Sequence, residues 1–193
     1  MKKLISALFL CLVCSTNLIG QTELKFNAAS ALILVPNVGI EVQLSPTWGL
    51  QLDALGSFWD SVDGDPFHVN QTFIEARYYP TWGKLNSQKR NFFIGPHTGF
   101  GMYTLHRPGK EKNSYQSGRN WYLGLTVGYK MQLSNRFGLE AFLGAGHSEA
   151  TYRYYNKDGQ REEGLTPRED WRHFNASGEL IPYRGGLMLV YLF

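Results

Sequence analysis

The run Arg184-Gly185-Gly186-Leu187-Met188-Leu189-Val190-Tyr191-Leu192-Phe193 decides the fold. Its apolar and aromatic residues suit a pleated, half-buried strand. A long apolar strand with a free edge is a template for pairing with other chains, and soluble proteins blunt such edges with charge, Pro or a covering element. No charge and no Pro follows Arg184. Pairing this strand with the first one removes the edge by closing a barrel, which a sheet must do to exist in lipid. The expectation is a closed sheet whose other strands fill the preceding chain.

Those strands are legible as alternation, because successive side chains of a strand point to opposite faces. Eight segments are long enough: Lys25 to Leu34, Asn37 to Leu44, Trp48 to Phe58, His68 to Tyr79, Asn91 to Leu105, Trp121 to Leu133, Phe137 to Tyr154 and Leu180 to Phe193. The sixth is clearest. Trp121, Leu123, Leu125, Val127, Tyr129 and Met131 form one apolar face, against Tyr122, Gly124, Thr126, Gly128, Lys130 and Gln132. Tight turns at Ser45-Pro46-Thr47 and Ser134-Asn135-Arg136 alternate with longer polar connections at Trp59 to Phe67, His106 to Asn120 and Tyr155 to Glu179. Short on one rim and long on the other is the pattern of outer-membrane barrels. The fold class predicted is all-β, an eight-stranded antiparallel transmembrane β-barrel. Within that pattern the first hairpin, at Val35-Pro36, is short and the connection Thr81 to Arg90 long.

At 193 residues the chain has room for one such domain. Residues 1–20 read as a signal peptide, with Lys2 and Lys3 ahead of the apolar run Leu4 to Val13, and residues 21–193 as the barrel. Both cysteines, Cys11 and Cys14, fall in the leader, so the mature chain expected has no disulfide, thiolate metal site or Cys nucleophile. Without Lys2 and Lys3, Lys plus Arg falls from 19 to 17 against 16 Asp plus Glu. That near balance leaves no nucleic-acid footprint.

The spacing Gly186, Leu189, Tyr191 and Phe193 resembles the C-terminal signal that the barrel assembly machinery reads in outer-membrane proteins. Three further stretches carry a wider resemblance: Pro36-Asn37-Val38-Gly39-Ile40-Glu41, Glu75-Ala76-Arg77-Tyr78-Tyr79 and Phe93-Ile94-Gly95-Pro96-His97. With Gly128-Tyr129, Leu139-Glu140 and Gly144-Ala145-Gly146 inside Trp121 to Gly146, they resemble an uncharacterised family of Gram-negative outer-membrane proteins, a domain of unknown function. The resemblance implies a small β-barrel and no established activity. Its members are often encoded near surface-fimbria genes, which implies a fimbrial or other surface protein as partner.

The charges that parity turns inward are Glu41, Asp53, Glu75, Arg77, Lys130, Glu140 and Arg184, with His97 beside them. The lumen of an eight-stranded barrel is just wide enough for side chains to fill. Opposite charges there must pair, so the expectation is a polar plug; the alternative is a gated ion path. A lipid A acyl-modifying enzyme is the rival of another class, and His147-Ser148-Glu149 is its candidate cluster, although parity separates Ser148 from the other two. The five histidines lack ligand spacing, and no cofactor or metal is expected. Gly99-Phe100-Gly101 reads as close packing in a narrow barrel. Trp48, Trp59, Trp82, Tyr78 and Tyr79 are assigned to aromatic girdles. Arg107, Lys110, Lys112 and Arg119, against Glu111 alone, form a basic outer loop suited to anionic lipid heads or a surface partner. The function expected is structural, anchoring or surface-interacting and not enzymatic, in contact with outer-membrane lipid and lipopolysaccharide.

Overall fold

The computed structural model describes residues 21–80, 91–107, 109–110, 112, 114–162 and 178–193. The leader at 1–20, the connection 81–90 with Trp82, and most of the last long connection lie outside the described residues. The strands are β1 (Thr22–Asn27), β2 (Asn37–Gln43), β3 (Trp48–Asp60), β4 (Pro66–Tyr78), β5 (Phe92–His106), β6 (Tyr115–Gln132), β7 (Phe137–Tyr155) and β8 (Glu179–Leu192). Each pairs antiparallel with its neighbour in sequence, and β1 pairs with β8, so the sheet closes as an up-and-down barrel. Closure runs from Glu23 opposite Leu192 to Asn27 opposite Met188. The edge exposed by the terminal apolar run is thereby consumed.

The two tight turns are built alike. Ser45 Oγ accepts from the Thr47 and Trp48 amides at 3.3 and 3.0 Å, and Ser134 Oγ accepts from the Arg136 and Phe137 amides at 3.4 and 3.1 Å. The serine hydroxyl thus replaces a backbone partner at each reversal.

The first strand is a correction. It ends at Asn27 rather than Leu34, and one turn of helix, α1 (Ala28–Leu32), follows. The Asn27 side chain accepts from the Ser30 amide at 3.3 Å, an N-cap that diverts the backbone out of the ladder. Leu34 then takes φ 61°, and the apolar run 31–35 leaves the ladder, with Leu32, Ile33 and Leu34 exposed and Val35 buried. The connection that looked like a two-residue hairpin is therefore Ala28 to Pro36. At β6 the error is opposite: the strand begins at Tyr115, not Trp121, because above the apolar band both faces are polar and alternation vanishes while pairing continues.

Direction is decided by exposure. Leu24, Ile40, Leu52, Ile74, Leu125 and Leu143 face outward, the last two 55% and 57% exposed, while Lys25, Glu41, Glu75, Arg77 and Glu140 are buried. The molecule is apolar outside and charged inside. Trp48 and Tyr78 pack at 5.1 Å on the short-turn rim, and Phe137, Tyr191 and Phe193 form a row on the opposite side of that rim. One girdle assignment fails: Tyr79 is buried inside the barrel. It sits at a strand end, where position along the strand predicts the interface but parity decides the face, whereas Trp59, at the far end of β3, is exposed although it shares the parity of Ser57.

Two rings lie over inward glycines. A Cβ at Gly99 would collide with the Phe73 ring, and one at Gly128 with the Phe93 ring. Gly128→Val is therefore expected to destabilise the barrel by about 1–3 kcal/mol, the usual cost of overpacking, whereas Val127→Ile on the outward face is neutral. Urea unfolding of the two variants in detergent micelles measures both; equal stability would place Phe93 elsewhere.

Candidate functional site

Among the described residues, five carboxylates (Glu23, Glu41, Asp53, Glu75, Glu140) meet four cations (Lys25, Arg77, Lys130, Arg184) inside the barrel, all buried. Near the short-turn rim, Lys25 Nζ donates to Glu41 at 2.5 Å and to Glu140 at 2.6 Å. Lys130 Nζ donates to Glu23 at 2.5 Å and to the Tyr79 hydroxyl at 3.1 Å, and that hydroxyl donates to Glu41 at 2.5 Å. Arg77 links this group to the next: Nη1 donates to Glu140 at 2.8 Å and Nε to Glu75 at 2.6 Å. Arg184 continues the chain, donating to Glu75 at 2.7 Å and to Asp53 at 2.8 Å. A continuous ion-paired path thus joins β1, β2, β3, β4, β6, β7 and β8 across the lumen.

Neutral groups complete it. Thr126 Oγ1 donates to Glu75 at 2.9 Å and contacts His97 Nδ1 at 2.8 Å, while His97 Nε2 lies 2.7 Å from the Tyr183 hydroxyl. With the threonine proton committed to Glu75, the arrangement that satisfies every group has Nδ1–H donating to Thr126 and Nε2 accepting from Tyr183. Aromatic faces cover the cations: Arg77 lies 4.0 Å above the Phe93 ring, and Arg184 is held between Phe73 and Phe142 at 4.7 and 5.2 Å. Such contacts strengthen when water is excluded. Beyond them Phe73, Tyr122 and Tyr183 pack ring on ring, with centroids 4.7 to 6.1 Å apart.

The eight inward groups expected from parity all belong to this network or touch it. Sequence reasoning missed Glu23, Lys25, Tyr79 and Tyr183. The first two were within reach, since Glu23, Lys25 and Asn27 alternate with Leu24 and Phe26. Tyr183 was not. A register shift on β8 opposite Gly144 and Ala145 pairs Arg184 with Gly144 and Pro182 with Ala145, leaving Tyr183 as the extra residue of a bulge. The bulge turns consecutive residues Tyr183 and Arg184 both inward, and it accommodates Pro182, which has no amide to give a ladder.

Three carboxylates, Glu23, Glu41 and Glu140, place oxygens within 4.8 Å of one another, a spacing that suits a metal ion. Here the chain supplies the cation itself, since Lys25 lies within 3.6 Å of all three. The His147-Ser148-Glu149 cluster is split by the sheet: Ser148 is buried inside, and the other two face out. The basic set also divides. Arg107 is drawn inward, donates to Glu162 at 2.5 Å and lies 4.1 Å over the Tyr154 ring, so it does not face lipid; Lys110, Lys112 and Arg119 remain exposed. On β8, Leu189 and Phe193 face outward, while Gly186 backs onto the Asn27 side chain.

Removing one partner of a buried pair leaves the other charge uncompensated, typically at about 3–5 kcal/mol. Arg77→Met should cost that much in unfolding free energy, and Arg77→Met combined with Glu140→Met less than the sum of the single changes, because the two share one network. A loss below about 1 kcal/mol for Arg77→Met would match a solvated pair and contradict a dry lumen.

Comparison with known proteins returns a match between residues 5–193 and the family described as "Protein of unknown function (DUF3575)". Among solved structures, CarO2 of Acinetobacter baumannii is similar at 13% identity, over 89% of this chain and 96% of that chain, with a TM-score of 0.39. No curated protein matches. The chain belongs to the DUF3575 family.

Proposed function

We propose that the protein is an integral outer-membrane barrel with a sealed lumen, serving as a structural, anchoring or surface-interaction module rather than as an enzyme or a pore. The observation that carries this reading is the inversion of polarity: the belt from Leu24 to Leu189 is apolar and exposed, and the interior holds the charges. In water such a belt would be far larger than the apolar patches that monomeric soluble proteins tolerate. In lipid it is the solvated face. An even number of antiparallel strands with tight turns on one rim fits the outer membrane rather than a helical one. It also argues against a secreted carrier, whose apolar face would line the cavity.

The ion path through Arg77 and Arg184 occupies the section a channel needs open. An acyl-modifying enzyme needs a nucleophile, base and carboxylate within hydrogen-bond reach, and the sheet separates Ser148 from His147 and Glu149. Lipopolysaccharide and a fimbrial or other surface protein are the partners proposed. The 18 and 19 residues of β6 and β7, against 6 and 7 in β1 and β2, raise one wall on the long-loop side where such a partner would meet it.

Reconstituted in a planar bilayer, the wild-type protein is expected to pass no steady current, and the same sample should migrate differently on gels before and after boiling in detergent. Steady current that rises with salt would mean an open lumen; a soluble protein with no migration change would reverse the membrane assignment.

A further inference from the structure

Above the apolar band, the outward face of the tall wall holds a pocket of about 590 Å³. Two cross-strand rows on β4 to β7 line it. Asn70, Met102, Arg119 and Thr151 lie side by side, and His68, Thr104, Ser117 and Arg153 make the row above. All share the outward parity of Trp121 and Leu123. Neither Arg119 nor Arg153 forms an ion pair among the described residues, in contrast to every cation of the lumen. No carboxylate is among the lining residues: Glu149 lies in the row below, and Asp60 is held by His68 at 3.1 Å, so Arg119 and Arg153 are the charges the pocket itself presents.

Position along the strand gives the second half of the argument. The row beneath Arg119 contains Phe100 and Trp121, and the strand continues through Leu123 and Leu125, all exposed. Two residues of strand span about 6.6 Å, so the guanidinium row begins one step above the outermost lipid-facing ring. That is the level at which lipid phosphates lie relative to interfacial aromatic residues. Arginine forks match phosphate oxygens in a bidentate way, and the hydroxyls of Ser117, which accepts from Thr104 Oγ1 at 3.0 Å, and of Thr151 can donate to those that remain.

We propose that this pocket binds the phosphate of an outer-leaflet lipid headgroup, with Arg119 and Arg153 holding the phosphate and the acyl chains descending past Trp121 and Leu123. The proposal rests on the membrane reading above and gives it a partner of stated chemistry. It also replaces the basic loop as the anionic contact: of that set, Arg119 alone lines the pocket.

The test uses the full-length mature protein folded in neutral detergent, with bisphosphorylated lipid A as probe and native mass spectrometry as readout. R119Q/R153Q should bind about tenfold or more weakly, as expected for charge-assisted hydrogen bonds, while K110Q/K112Q stays within about twofold of wild type. Wild-type binding should also weaken as salt is raised. Unchanged affinity in R119Q/R153Q, equal affinity for the dephosphorylated lipid, or salt-independent binding would each overturn the proposal. Displacement of the lipid by inorganic phosphate at equal concentration would overturn it in favour of a free-anion site. If R119Q/R153Q loses the heat-dependent gel shift, the salt series and the dephosphorylated lipid, both run on wild type, still decide. Absence of the gel shift in wild type is a failure of the membrane reading and is recorded separately from lipid affinity.

Discussion

A lumen eight strands wide has room for side chains and little else, so every charge that parity turns inward must be neutralised by another charge of the same barrel. This constraint organises the molecule. Lys25 serves Glu41 and Glu140, Arg77 serves Glu140 and Glu75, and Arg184 serves Glu75 and Asp53, so each cation bridges at least two carboxylates. With five carboxylates and four cations, the remaining hydrogen bonds come from neutral donors: Tyr79 to Glu41, Thr126 to Glu75 and Gln51 to Asp53. Sharing of this kind makes the network cooperative and its members poorly replaceable one at a time.

The network also explains where aromatic residues and glycines sit. A guanidinium inside a narrow barrel cannot keep its hydration, and the faces of Phe93, Phe73 and Phe142 take the place of water over Arg77 and Arg184. Rings large enough to do this fit only where the adjacent strand offers no Cβ, which is the role of Gly128 beside Phe93 and Gly99 beside Phe73. The β8 bulge serves the same end by delivering Tyr183 to His97 and Arg184 to two carboxylates from consecutive positions.

Most of the architecture was legible because the belt imposes a strict period of two on every strand that crosses it. Trp121 to Met131 on β6 and Phe137 to Leu143 on β7 could hardly have been assigned otherwise, and the charges in antiphase followed. The failures occur where that period loses its physical cause. Ala31 to Val35 continues the apolar run of β1, yet Asn27 caps a turn and ends the strand. Above the belt, Tyr115 to Asn120 pairs as strand with polar residues on both faces, so it looks like a loop. Arg107 looks like a surface charge of that loop, but it continues the inward parity of β5 and finds Glu162. A bulge such as that at Tyr183 depends on the partner strand and leaves little trace in a local pattern.

The central claim is that the apolar face of this sheet meets lipid and the charged face meets only itself. Spin labels on single cysteines placed at successive positions from 121 to 131 of β6 test it directly, since both native cysteines lie at positions 11 and 14. In vesicles, the account predicts oxygen accessibility that peaks at 123, 125, 127 and 129, with 124, 126 and 128 shielded from oxygen and from a water-soluble relaxant alike. Strong relaxation of the even positions by the water-soluble agent, or loss of the two-residue period, would contradict it.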